Sequence, residues 1–307
     1  MNRARHLSIA AALTILTTVV VYLLITGQVI GFGLLQLPTA ASEEAATIDA
    51  LIGGHIVLMA FLFAVIVAPA LYSIIVFRRR EGDDSDAPHI HGNTAVEIAW
   101  TVIPVLLVIG FAIWGVNAYN TVIAAEPNEH VVRAQGFKWD WNFYYPEHDN
   151  KVDASLVVEV GQPVVLEMQS RDVIHAFWVP HFRVKQDVSP FNVNNRDLDF
   201  SNADYSADAA GYIPQVVRFT PTREGVFRVR CAEICGTNHY AMLAHVHVLS
   251  SQDYQAWVNG ELTLPSDPNQ TNSQQFNQDG SVNSVYYLPE LEQYCQDKYG
   301  DANCQTD

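Results

Sequence analysis

The sequence predicts a membrane-anchored all-β protein: an N-terminal transmembrane helical hairpin, with a signal peptide or third helix ahead of it, followed by a Greek-key β-sandwich. Three observations carry this. Two long apolar stretches near the N-terminus lack any Asp, Glu, Lys or Arg. Beyond residue 118 the apolar pattern shifts to a period of two, as strands require. Most of the acidic residues, 25 of 33, lie in that second part. A chain of 307 residues, 49% hydrophobic, has room for both a membrane part and one full domain.

The apolar stretches run from Leu7 to about Gly27, from about Ile52 to Phe77, and from Ala99 to about Ala118. The last two are long enough to cross a hydrocarbon core of ~30 Å, which takes ~20 helical residues. The first reads either as a retained helix or as a secretory signal. Its apolar run exceeds the ~7–15 residues of a signal core, which favours retention, while the small residues Thr39-Ala40-Ala41-Ser42 offer a cleavage site.

Charge sets the orientation. Arg3 and Arg5 precede the first stretch and Arg78-Arg79-Arg80 lie between the second and third, so the positive-inside rule places both clusters in the cytoplasm. The part after residue 118 is then outside, in a multi-pass protein of the cell membrane. Of 17 basic and 33 acidic residues, only five and three fall in residues 1–80, so 12 basic face 30 acidic residues in the rest. Such a surface excludes nucleic acid as a partner and either steers a basic protein toward it or serves solubility.

The cytoplasmic turn Glu81–Pro88 leads into His91-Gly-Asn-Thr-Ala-Val-Glu97-Ile-Ala-Trp100-Thr-Val-Ile-Pro104. Glu97 sits at the start of the third helix, where the helix dipole favours an acidic residue. Pro104 interrupts the helical hydrogen bonds. Past Ala118, strands are expected at Val131–Gln135, Ser155–Val160 and Val164–Met168, with Gly161-Gln-Pro163 as a turn, then at Val226–Arg230 and Leu243–Leu249. Two strands bracketing a ligand-rich loop, with a further ligand on a third strand, describe a sandwich of cupredoxin type. His245 and His247 on the exit strand read as ordinary strand residues. The aromatic run Gly136-Phe-Lys-Trp139-Asp-Trp141-Asn-Phe-Tyr-Tyr145 reads as core or interface packing.

The loop Cys231-Ala-Glu-Ile-Cys235-Gly-Thr-Asn-His239-Tyr-Ala-Met242 holds thiolate, imidazole and thioether donors within twelve residues. That soft set selects copper over calcium, magnesium or manganese, and its second Cys is surplus to a one-copper site of blue type. A second imidazole is available from His175, which closes an alternating, strand-like run, and a backbone carbonyl from within the loop, such as that of Glu233. Two bridging sulfurs with these donors suffice for two copper ions of low coordination number. A Cys231–Cys235 disulfide and a Cys2His2 zinc site are the alternatives, and zinc leaves Met242 without a role.

The pattern Cys-x-Glu-x-Cys-x-x-x-His-x-x-Met, preceded by Val-x-His-x-Phe-x-Val-Pro, resembles subunit II of haem-copper cytochrome c oxidase over residues 50–260. The resemblance implies a binuclear CuA centre on His175, Cys231, Glu233 through its carbonyl, Cys235, His239 and Met242. It implies that electrons enter at Trp139 from cytochrome c or a similar donor and pass to subunit I, where O2 is reduced to water. The Asn-Thr-x-x-Glu-x-x-Trp-Thr-x-x-Pro segment further implies that Glu97 marks the mouth of a proton path into subunit I. The Glu233 side chain would share a magnesium or manganese ion with that subunit. Subunit III is a further implied partner. Val188-Ser-Pro-Phe191, an insertion at Asn192–Gly211, and Leu243 in place of a common Pro depart from the family pattern.

A short helix is expected at Asp253–Trp257 and a polar linker at Pro265–Ser284. Cys295 and Cys304 in the tail are expected to pair, since no His lies near enough to suggest a metal. No Cys-x-x-Cys-His occurs, which excludes a haem c attachment of that kind. The expected division is a signal or first helix with an outer loop over 1–48, the helical hairpin over 49–118, a cupredoxin-like copper domain over 119–262 and a polar, disulfide-bearing tail over 263–307.

Overall fold

The computed structural model of the chain describes residues 3–27, 37–79, 81–83, 86, 89, 92–190, 215–264, 289–300 and 304. The insertion at Asn192–Gly211 and the linker at Pro265–Ser284 lie outside the described residues. The chain forms two compact units, residues 1–37 with 48–119, and residues 38–47 with 120–307.

The first unit is helical. Three helices, α1 (Arg3–Thr26), α2 (Glu43–Val76) and α3 (Thr94–Val122), are each long and apolar enough to cross a membrane. Side chains such as Ile15, Ile66, Ile75, Leu106 and Val108 stand exposed on them. Water would penalise such surfaces, whereas lipid accepts them provided every backbone group is bonded within its helix. The exceptions are at Pro69 in α2 and Pro104 in α3, where the missing N–H frees the carbonyl four residues earlier. His55 packs edge-on against Phe111, with ring centroids 4.7 Å apart, which brings α2 to α3. His6 meets Tyr72 and Phe77, which brings the start of α1 to the end of α2.

The second unit is a two-sheet sandwich. One sheet has the order β3-β2-β1-β5-β8, from Lys151–Asp153, Asp140–Tyr145, His130–Phe137, Val164–Ser170 and Gln215–Phe219. The other has the order β4-β10-β9-β6-β7, from Leu156–Glu159, Leu243–Leu249, Gly225–Cys231, His175–Val179 and Val184–Val188. The pairs β1/β5 and β4/β10 are parallel and the rest antiparallel, the crossed connectivity of a Greek key. Side chains of β-branched and aromatic residues alternate inward. Trp141, Phe143, Phe177, Phe182, Phe219, Phe227 and Met168 fill the space between the sheets, all essentially inaccessible to water. On β1 and β5, Arg133 and Glu167 stand opposite one another and form an ion pair at 3.3 Å.

His175 opens strand β6 rather than closing a run, because Asp172 and Ser170 turn the chain just before it. The aromatic stretch Asp140–Tyr145 is itself a strand, β2, whose alternate side chains enter the core. Residues 38–47 add to the sandwich: Ala41 donates to the His181 carbonyl and accepts from Thr222, and Glu43 N–H bonds Thr220. Ala41 is wholly buried there.

Helix α4 (Ser251–Val258) covers the expected Asp253–Trp257 segment, and its Ser250 cap accepts from Asp253 N–H. Helix α5 (Pro289–Tyr299) leads to the expected Cys295–Cys304 disulfide. Cys295, Tyr294, Tyr299 and Cys304 pack on Val226 of β9, Cys304 forms a β-bridge with Val226, and Lys298 bonds Asp253 at 2.7 Å.

Candidate metal centre

Strand β9 ends at Cys231 and β10 begins at Leu243, and the intervening loop closes on itself where Cys231 N–H donates to the Met242 carbonyl at 3.1 Å. A 3-10 turn, His239–Ala241, holds His239 inward, and Gly236 takes φ +123°, a conformation that strains any residue with a side chain. Strand β6 pairs with β9 so that Phe177 stands opposite Cys231, which places His175, two residues earlier, beside the loop.

The donors fall into two halves. Cys231 Sγ lies 3.9 Å from His175 Nδ1 and 3.3 Å from the Glu233 carbonyl oxygen. Cys235 Sγ lies 3.5 Å from His239 Nδ1 and 3.7 Å from Met242 Sδ. The two sulfurs are 3.8 Å apart, far beyond the ~2.05 Å of a disulfide, and both cysteines are free. Each sulfur thus has one imidazole and one weaker donor. His175, Cys231 and Cys235 form a buried group of potential metal ligands, with ligand atoms within 4.8 Å of one another.

Burial, then the adjacent Cys231, pushes the Cys235 thiol up to about 12. Two thiolates this close in an apolar setting repel one another and lack solvation. A cation between them removes both penalties, and thiolates, imidazoles and a thioether are the donors that copper prefers. The residues therefore fit a copper centre.

Asp172 orders the site, and sequence reasoning passed it over. Its carboxylate accepts from His175 Nε2 at 2.8 Å, from Val173 N–H at 2.7 Å and from Lys138 N–H at 2.8 Å. Burial alone would raise its pKa, yet the bonds from His175, Lys138 and Val173 hold it below the usual carboxylate range. With Nε2–H committed to Asp172, His175 turns the lone pair of Nδ1 toward Cys231. Ligating histidines are oriented in this way by a carboxylate behind the ring. Burial nevertheless depresses the pKa of His175, with the carboxylate opposing it, so the ring favours the neutral, ligating form. The only sequence signal was an Asp three residues before the His.

Gly136 was also missed. A Cβ there would lie 3.1 Å from the Trp141 ring and 3.3 Å from the His175 ring, so glycine lets β1 approach both. Trp139, half-buried on the β1–β2 turn, lays its indole against Gly236 of the cysteine loop, 3.4 Å from where a Cβ would stand. Glu97 lies in the other unit, exposed in the first turn of α3, where its carboxylate accepts from Asn93 N–H at 3.2 Å while Asn93 accepts from Val96. The Glu233 side chain is exposed although its carbonyl faces Cys231. His245 and His247 are buried on β10 and belong to no ligand group among the described residues.

Fold and donor set together define a class of protein: a cupredoxin-type sandwich whose buried donors fit copper, joined to helices long and apolar enough to cross a membrane. Its sequence matches the family descriptions "Cytochrome C oxidase subunit II, transmembrane domain" over residues 30–117 and "Cytochrome C oxidase subunit II, periplasmic domain" over residues 147–204. Among curated relatives, cytochrome c oxidase subunit 2 of Synechocystis sp. is 26% identical over 75% of this chain and 77% of its own length. The namesake from Alkalihalophilus pseudofirmus is 30% identical over 75% of this chain and 63% of its own. That from Thermostichus vulcanus is 28% identical over 72% and 77%. The chain belongs to the cytochrome c oxidase subunit II family.

Proposed function

We propose that this chain is the electron-entry subunit of a terminal respiratory oxidase in the cell membrane, receiving electrons from cytochrome c and passing them to the haem-copper subunit I, where O2 becomes water. The observation that carries this reading is the two-part donor set, in which each of two adjacent sulfurs has its own imidazole and its own weak donor. It supports a binuclear CuA centre held by His175, Cys231, the Glu233 carbonyl, Cys235, His239 and Met242. A copper pair in such ligands takes up and gives away one electron at a time.

The protein contributes rigidity and exclusion of water. Cys231, Cys235, His175 and Met242 are buried, and the loop is pinned by its own backbone bonds, so the ligands are held in place before and after a charge arrives. Asp172 fixes the orientation of the His175 ring. Trp139 provides a π-system between the solvent and the loop, in keeping with a role as the entry point. The outward Glu233 carboxylate suits a hard ion, magnesium or manganese, shared with subunit I. Glu97 is read as the proton-path entrance, though its bond to Asn93 N–H also caps α3.

A quinol oxidase subunit of the same fold would need none of these ligands, and a copper carrier would need no electron path. Stopped-flow mixing of the assembled, metal-loaded oxidase with reduced cytochrome c separates the three. The reading expects rapid cytochrome oxidation that disappears in Cys235→Ser. Oxidation by quinol alone, or none by either donor in the copper-loaded protein, would overturn it.

A further inference from the structure

We infer that the tail carries a second, redox-gated metal site, in which His245, His247, Cys295 and Cys304 hold one zinc(II) ion once the Cys295–Cys304 disulfide is reduced. The two histidines are the observation that asks for a ligand. His247 is 0% exposed and His245 6%, and no ring nitrogen of either has a hydrogen-bond partner among the described residues. Buried polar side chains are nearly always bonded, so two imidazoles left unbonded side by side need an explanation.

The strand register brings the sulfurs to them. Residues two apart on a strand share a face, so His245 and His247 point away from the core that Val246 and Val248 enter. Across the sheet, Val226 of β9 stands opposite His247, and Arg228 opposite His245. Opposite side chains lie ~4.5–5.5 Å apart at Cβ, and diagonal neighbours stay within reach of long side chains. Cys295 and Cys304 both pack on Val226, and Cys304 also forms a β-bridge with it. The disulfide therefore rests on the side chain directly across from His247 and diagonal to His245.

Two thiolates and two imidazoles are a Cys2His2 set, which closes a four-coordinate zinc site. Joined as a disulfide, the sulfurs offer no thiolate. Charge fits the reduced form. Behind burial, Lys298, which is paired with Asp253, lowers the His247 pKa, and His247 and Arg228 lower that of His245. Cations so placed oppose an imidazolium but favour a thiolate.

The reductant is a dithiol. Cys304 is partly exposed and Cys295 is buried, so one donor thiolate attacks Cys304 Sγ and expels Cys295 as the thiolate. The donor's second thiolate then breaks the mixed disulfide and releases Cys304. The donor leaves as its own disulfide, two electrons having passed to the tail sulfurs. Two protons make them thiols, and zinc displaces both protons on binding.

The test uses the full-length Cys231→Ser/Cys235→Ser variant, in which every zinc–sulfur bond must come from the tail, so the outcome is independent of the copper centre. It is titrated with zinc before and after reduction by a phosphine and read by X-ray absorption. The oxidised form should show no zinc–sulfur scattering. The reduced form should bind one zinc per chain, with two sulfurs at ~2.3 Å and two imidazole nitrogens at ~2.0–2.1 Å. His245→Phe/His247→Phe, which keeps the buried face filled, should lose the imidazole signal and weaken binding by at least the ~10-fold that loss of even an outer ligand-orienting partner costs. The copper-loaded wild-type chain, once reduced, should take up one zinc beyond its copper, which covers the case of a serine variant that does not fold. No sulfur-bound zinc after reduction, sulfur ligation without imidazole, equal binding by the oxidised form, or unchanged affinity without the two histidines would each overturn the inference.

Discussion

Asp172 carries no charge that copper needs, yet its carboxylate holds the His175 ring, the backbone of the Trp139 turn and the start of β6 at once. Replacing it with Ala should weaken copper binding ~10–100-fold, as loss of a ligand-orienting carboxylate usually does. Competition against a chelator of known copper affinity measures this. Asp172→Asn, which keeps an acceptor for Nε2–H, should recover much of the loss, and unchanged affinity in Asp172→Ala would mean that packing alone sets the ring. At Trp139 the expectation is kinetic: Trp139→Ala should slow cytochrome c oxidation severely while the copper spectrum persists, and an unchanged rate would move the entry point elsewhere. Gly136→Ala should cost ~1–3 kcal/mol, since the new methyl meets the Trp141 and His175 rings. The soft donors were legible in the sequence because their spacing is itself chemical information. Asp172 and Gly136 were not, because one acts through another side chain and the other through the absence of one.

The tail is the element whose role is least evident from composition. Cys295–Cys304 closes a short loop that packs Tyr294 and Tyr299 on Val226, and Lys298 ties it to Asp253 of α4. Opening that loop in Cys295→Ser/Cys304→Ser should lower the stability of the domain by about 2–3 kcal/mol, the chain-entropy value for a loop of about ten residues. Thermal unfolding of the two forms measures it, and equal midpoints would show that the tail folds apart from the sandwich. His245 and His247 on β10 add a pH dependence. Burial first, and then His247 and Arg228, lower the His245 pKa to about 3. Burial first, and then Lys298, lowers that of His247 to about 4. An unfolded histidine titrates near 6.5. Above that pH neither state is charged and nothing is lost. Below it the unfolded chain takes up protons that the folded one refuses, so stability falls by up to about 1.4 kcal/mol per pH unit for each ring until the folded values are reached. His247→Leu should flatten the fall between pH 6 and 4, and an unchanged slope would exclude this cause. The strands with β-branched alternation were legible in sequence. β2 was obscured by its aromatics, which read as packing, and β6 by a turn that depends on the Asp172 and Ser170 side chains rather than on Gly or Pro.

For the whole molecule, charge and anchorage act together. The 25 acidic residues after position 118, against 12 basic ones, make the extracytoplasmic part strongly negative. A basic donor should therefore react faster at low salt, with the second-order rate falling about tenfold or more as ionic strength rises past the point where fields are screened. A salt-independent rate would assign the acidic surface to solubility alone. The broad plan, helices first and a metal-bearing sandwich after, was legible because lipid and core each impose a period on the sequence. The addition of residues 38–47 to the sandwich was not, since it rests on backbone hydrogen bonds across more than a hundred residues, as from Ala41 to His181. The central claim is that two sulfurs, each with its own imidazole, hold two copper ions as one unit. Electron paramagnetic resonance with metal analysis on the copper-loaded full-length protein tests it most directly. The account predicts two coppers per chain and a hyperfine pattern from one unpaired electron shared over both nuclei. A single-copper signal, a zinc-only protein or a Cys231–Cys235 disulfide would contradict it.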